Sequence, residues 1–291
     1  MLKQINWLIA AVAVTTLASF APASLAAQSS KPAPAELENV VAALDRAASA
    51  QDIEAVMKYY APSFSHGDGL NRDLYKKALR ELWQSYTNIS YRTEISKWQK
   101  QGDLITAETI TMIQGKKGDQ SDDFKLNGRM VTTQTYKSVN GQLQVVSQQV
   151  LSEQSSLSSG EAPPSVQLNM PELIGVGRQY VLDAIVTEPL GTGLLLGAAI
   201  EEAVDAKNLL NENTINLRPL RAGGVFKIGQ APFKSGDRWI SVVLVRESGV
   251  TIASQRLRVS RDFTGNQYTP LPEPDTTPTR VRPRNDNRQT L

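Results

Sequence analysis

At Tyr86 the spacing of apolar residues changes, and that change limits what the chain can build. Before it, apolar side chains recur every three or four residues; after it, they alternate roughly by two. A helical layer followed by a sheet satisfies both periods, because each buries one face of its own element. Leu37, Val40, Val41, Leu44 and Ala48 mark the first helix face. "SAQD" restarts the helix, with Ser49 as the cap and Asp52 three residues on. Ile53, Val56, Met57 and Tyr60 then form a second stripe, closed by Pro62. Leu74, Tyr75, Ala78, Leu79, Leu82, Trp83 and Tyr86 make the third and cleanest face.

Four β-type runs follow: "ISYRTEISKW", "LITAETITMIQG", "FKLNGRMVTTQTYKSV" and "QLQVVSQQVL". They are divided by "QKQGD", "GKKGDQSDD" and "NG", the last a strong hairpin signal. Three helices and a curved antiparallel sheet of four strands form an α+β domain over residues 36–152. The Ser-, Gly- and Pro-rich "SEQSSLSSGEAPP" reads as a linker, 153–164. Seven short strand-like runs in 165–260 suggest an all-β sandwich resembling immunoglobulin-like modules, without their inter-sheet cysteines. Within it, residues 194–210 suit a strand or a helix. The glycines there are spaced G-x-G-x-x-x-G, which is not the dinucleotide-binding pattern. Residues 261–291 are rich in proline and arginine, lack apolar periodicity and are expected to be disordered.

Several function classes drop out on composition. Residues 27–160 and 161–260 each carry basic and acidic side chains in equal number, so neither presents the basic face that nucleic acid requires. The chain has no cysteine and one histidine, which removes thiol nucleophiles, lipoprotein anchoring and any His/Cys metal set. No metal and no cofactor are expected. Residues 1–26 combine Lys3, an uncharged apolar run and small residues at Ser24 and Ala26, the pattern of a secretory signal peptide. The protein is therefore expected to be periplasmic or secreted. No later segment reaches the ~20 apolar residues of a spanning helix.

The histidine, His66, stands two residues before Asp68 in "YYAPSFSHGDG". On one strand the two would project from the same face. On a turn, Gly67 and Gly69 would supply backbone freedom, and that structural reading is favoured. The wider stretch "AALDRAASAQDIEAVMKYYAPSFSHGDG" resembles the nuclear transport factor 2-like superfamily over about residues 36–152. The resemblance implies a cone with a pocket between helices and sheet. On the ketosteroid isomerase pattern, Ala50, Asp52, Ala61 and Asp68 match. Asp68 falls where that family keeps its general-base aspartate, while Leu44 stands where the oxyanion-donating tyrosine belongs.

Two functions are compatible with this. The favoured one is an exported, non-catalytic binding or interaction protein whose partner is a small apolar ligand or another protein. A homodimer through the sheet is also compatible. The alternative is an isomerase, lyase or cyclase with Asp68 as base and His66 as its partner. In either case Tyr60, Trp83 and Tyr86 are the candidates to line the pocket, or else belong to the plain core.

Overall fold

The computed structural model describes residues 32–118, 124–188, 193–204, 215–220 and 223–268. Residues 1–26, where a signal peptide is expected, residues 119–123 and residues 269–291 lie outside these. The chain is mostly β, with three helices near its start: α1 (Ala35–Ser49), α2 (Ile53–Met57), β1 (Tyr60–His66) and α3 (Arg72–Gln84). Asp52, rather than Ser49, caps α2, accepting a hydrogen bond from the Ala55 amide at 2.9 Å. Ser49 instead accepts from the Tyr91 amide and ties the end of α1 to the sheet. Gln51, at φ 56°, makes the sharp reversal between the two helices. The second helix ends at Met57, before Pro62; Tyr60 already belongs to β1, where its carbonyl and that of Met57 accept hydrogen bonds from Arg72.

Four long strands follow: β2 (Asn88–Gln101), β3 (Leu104–Lys117), β4 (Phe124–Val139) and β5 (Gln142–Ser159). β1 runs parallel to β5, and the others pair antiparallel in sequence order. Apart from β1, which stands between α2 and α3, the helices precede the four antiparallel strands as the period switch predicts. The remaining strands are β6 (Val166–Asn169), β7 (Leu173–Gly175), β8 (Gln179–Val186), β9 (Leu196–Ala203), β10 (Arg218–Pro219), β11 (Gly224–Gln230), β12 (Arg238–Arg246), β13 (Gly249–Ser260) and β14 (Asn266–Gln267). The segment that suited strand or helix is a strand over Leu196–Ala203; residues 205–210 lie outside the described part.

The expected linker is not one. β5 continues to Ser159, and Gln154–Ser159 pair in register with Gln255–Val250 of β13. Serine and glutamine made this stretch look like a tether. Backbone pairing is indifferent to that composition, however, and Glu153, Leu157 and Ser159 are buried. The connection shrinks to residues 160–165. A single large sheet results, in the order β10-β9-β12-β13-β5-β4-β3-β2, rather than a cone followed by a detached sandwich. The expected tail is also partly ordered, since β14 pairs with β7.

Two hydrophobic cores lie on opposite faces of this sheet. At the β2–β5 end the helices cover Leu126, Tyr136, Val145 and Leu157, with Ile252 of β13 packed alongside. At the other end a second sheet, β11-β8-β6, covers Ile240, Val242, Leu244, Leu257 and Val259. Ile252 and Leu257 differ in parity along β13, so they point to opposite faces and serve different cores. Among the described residues no helix is long and apolar enough to cross a membrane.

Candidate functional site

β1 leaves the helical layer and ends in the turn His66–Leu70. The His66 amide bonds to the Leu70 carbonyl, the Gly69 amide to the His66 carbonyl, and the Gly67 amide to the Gln148 carbonyl of β5. Gly69 takes φ 77°, a conformation that favours glycine. A side chain at Gly67 would collide with Gln149. "HGDG" is thus a turn, with the backbone freedom the sequence suggests. It does not face solvent: both His66 and Asp68 are 3% exposed.

What covers the turn is Arg256 of β13. Its Nη1 and Nη2 donate to Asp68 Oδ1 and Oδ2 at 3.0 and 2.8 Å, a two-pronged pairing that occupies the whole carboxylate face. Nε donates to Glu153 Oε2 at 3.1 Å, and Nη1 also donates to Asp237 Oδ2 at 2.8 Å. The Trp239 ring lies 6.0 Å from the guanidinium carbon. The Arg256 side chain has no exposed surface. Burial pushes the Asp68 carboxyl up, and the Arg256 charge and hydrogen bonds act against it.

His66 is held neutral. Burial, and then the Arg256 charge, push its pKa down to about 3. Its Nδ1 lies 3.2 Å from the Asp68 amide and its Nε2 lies 3.4 Å from the Gln148 side-chain nitrogen; both neighbours are donors, which a neutral ring tolerates better than a protonated one. The 3.7 Å approach of Nδ1 to Asp68 Oδ2 is therefore not an ion pair. The ring stacks on Tyr75 with centroids 5.9 Å apart.

A cavity of about 80 Å³ lies between the helices and the sheet. Val41, Leu44, Val56, Leu79 and Met130 form its apolar wall. Tyr60, Tyr75, Tyr91, Gln134, Gln148 and Asp45 form its polar one. The hydroxyls of Tyr60 and Tyr75 share a hydrogen bond of 3.2 Å, and Gln134 donates to Gln148 at 2.9 Å. Tyr91 accepts from Trp83 Nε1 at 3.0 Å. Burial raises the pKa of all three tyrosines, so their hydroxyls stay protonated. Asp45, the one acidic group in the lining, accepts from the Thr93 amide and hydroxyl at 2.6 and 2.7 Å and fixes α1 to β2.

Of the residues the sequence nominates, Tyr60 lines this cavity. Trp83 stands one layer behind it and orients Tyr91. Tyr86 is core, its ring lying over Gly115. Asp68 and His66 are not in the lining; Gln148 separates them from it. Leu44 does line the cavity, and it can donate no hydrogen bond. Tyr75 was legible as part of the third helical face, but nothing local marked it as cavity wall. Arg256, Glu153 and Asp237 were missed altogether. Their one signal is that Glu153 is the single charge of β5 and that Arg256 and Arg258 are the charges of β13. Among the described residues, no group of three or more His, Cys, Asp or Glu side chains could hold a metal ion.

Residues 161–260 match a family described as a domain of unknown function, DUF8623. No curated protein is detectably similar to the chain. Among solved structures, similarity is found to a proposed scytalone dehydratase from Novosphingobium aromaticivorans. It is 14% identical over 40% of this chain and 80% of that one, with a TM-score of 0.35. A proposed dehydratase of the nuclear transport factor 2-like family from Streptomyces avermitilis is 12% identical over 40% and 91%, with a TM-score of 0.35. A nuclear transport factor 2-like protein of unknown function from Pseudomonas putida is 20% identical over 40% and 82%, with a TM-score of 0.31. What those proteins catalyse is a statement about them.

Proposed function

We propose that the chain is an exported, non-catalytic binding protein whose helix-covered cavity takes a small neutral ligand, apolar apart from one hydrogen-bonding group. One observation carries this reading. Asp68, the residue the resemblance offers as a general base, gives both its oxygens to Arg256 and lies outside the cavity. A base must reach the proton it removes, and this one reaches none there. The lining offers tyrosine hydroxyls and glutamine amides, which bind and orient. It holds no lysine or arginine to stabilise a developing anion. Asp45 on the same wall disfavours anionic ligands. A cavity of this size has room for several waters or one small ring, at roughly 10–15 Å³ per water.

The test uses phenol as the probe, with ligand-observed saturation-transfer NMR on the mature protein. Transfer to phenol is expected in the native protein and in Asp68→Asn, and is expected to vanish in Leu79→Trp, which fills the space. Undiminished transfer in Leu79→Trp would place the binding elsewhere. Turnover of any screened carbonyl or hydroxy compound that Asp68→Asn abolishes would replace this reading with an enzymatic one. Export is tested separately: intact mass of the protein from its host should correspond to a chain that starts at Ala27.

A further inference from the structure

The seam between the two ends of the large sheet holds more negative charge than its cations balance. Three separate segments send a carboxylate to Arg256: Asp68 from the turn between β1 and α3, Glu153 from β5, and Asp237 from just before β12. The other ionisable groups that face the cluster are His66, Tyr75, Arg258 and Glu172. His66 is neutral and Tyr75 keeps its proton. Arg258 is drawn toward both Asp237 and Glu172. Glu172 itself accepts from Ser152 and Gln154. With every acid ionised, four carboxylates would face two guanidinium groups in a site nearly closed to water. Like charges within hydrogen-bonding range of one cation oppose each other's ionisation, so the cluster favours holding a proton.

The geometry selects which member holds it. Asp68 uses both oxygens on Arg256. The Asp237 side chain is 19% exposed and keeps some solvent. Glu153 is buried and meets Arg256 through Oε2, which lies 3.1 Å from both Nε and Nη2.

We propose that Glu153 is the proton-carrying member of a latch at this seam. With the proton, it adds no charge that competes for Arg256, and Arg256 clamps Asp68 and Asp237, which fastens the β1–α3 turn to β13. When it ionises, the proton passes to solvent, the new charge competes for the same guanidinium, and the clamp on the turn loosens. Burial pushes the Glu153 carboxyl up to about 8, against the pull of Arg256, so the latch is closed at neutral and mildly acidic pH and opens above that. The turn also carries His66, which contacts Gln148 on the cavity wall, so opening is felt at the cavity's polar side. None of this depends on what the cavity binds.

The chain provides its own reporter, because His66 is its one histidine and lies against Asp68. The experiment follows the His66 ring carbon–proton signal by NMR from pH 5 to 10, with the Glu153 carboxyl carbon measured in the same unsubstituted protein. His66 does not titrate in this range, so any movement of its signal reports its surroundings. The expected result is a single His66 shift with a midpoint about 8, matched by the Glu153 carboxyl and absent from Glu153→Gln, which imitates the protonated acid. A Glu153 midpoint below 7 overturns the proposal. So does a His66 signal that stays still, or one that moves identically in Glu153→Gln. If that variant fails to fold, the carboxyl titration of the native protein decides the matter alone.

Discussion

At one end of the large sheet three helices cover the face bearing Leu126, Tyr136 and Leu157. At the other end, on the opposite face, a three-stranded sheet covers Ile240, Val242 and Leu244. The two ends differ in how regular their strands are. Under the helices the pairing shifts register between Ile95 and Lys97, between Val131 and Thr132, and between Thr135 and Tyr136. In the other half β12 pairs with β13 and with β9, and β8 with β11, without interruption. A bulge bends its strand and increases the local twist. A bent sheet under straight helices leaves unfilled space, whereas two regular sheets can interdigitate closely. The cavity therefore sits where the register breaks, lined by Met130 and Gln134 beside those shifts. Irregular pairing in this chain marks the end that holds the cavity, and regular pairing marks the end without it.

The seam that joins the ends gives the largest expected effect. Arg256→Met should cost about 3–5 kcal/mol, because it strands buried carboxylates without their cation. Urea unfolding of the full chain should show one transition moved to lower denaturant, since both ends contribute to the seam. Two separate transitions, only one of them moved, would show that the ends are less coupled than the shared strand β13 implies.

Core truncation sharpens the contrast. Leu257→Ala removes a fully buried side chain from the closely packed end and should cost roughly 2–5 kcal/mol. Leu79→Ala enlarges space that is already open and should cost about 1–2 kcal/mol, nearer the lost transfer energy alone. Equal losses in the two variants, measured by the same urea titration, would erase the difference in packing.

Dependence on pH comes next in size. The folded protein keeps a proton on Glu153 up to about pH 8 that the unfolded chain releases near 4.5, so this group makes stability fall as pH rises through that window. His66 acts in the opposite sense. The unfolded chain takes a proton near 6.5 that the folded ring refuses until about 3, so stability falls as pH drops between those values. Asp68 and Asp237, both pushed up by burial, act in the sense of Glu153 on the acid side. From about 4.5 to 6.5 the Glu153 and His66 contributions oppose each other. From 6.5 to 8 Glu153 acts without that opposition, and the loss should reach roughly 2 kcal/mol at 1.36 kcal/mol per unit. Denaturation at pH 6 and pH 8.5 would measure it, and a protein more stable at the higher pH would contradict it.

The smallest effect is local to the helical end. Asp52→Ala removes the cap of α2 and should cost about 1 kcal/mol, visible as a small shift in melting temperature. A much larger loss would mean that α2 does more than close the cavity's rim.

The sequence by itself determined the elements. The change of period at Tyr86, the glycines of "HGDG" and the short strand-like runs of 165–260 are local statements about backbone and side-chain preference, and the elements formed accordingly. The tertiary structure decided which elements meet. The Ser- and Gln-rich end of β5 looks like a tether on its own. It becomes a central strand because β13 offers backbone donors and acceptors that pair without regard to side chains. Asp68 looked like a base or a solvated turn residue because its partner, Arg256, lies 188 residues away. A carboxylate's chemistry depends on the charge beside it and the water kept from it. Neither is set until the chain has folded β13 against the turn.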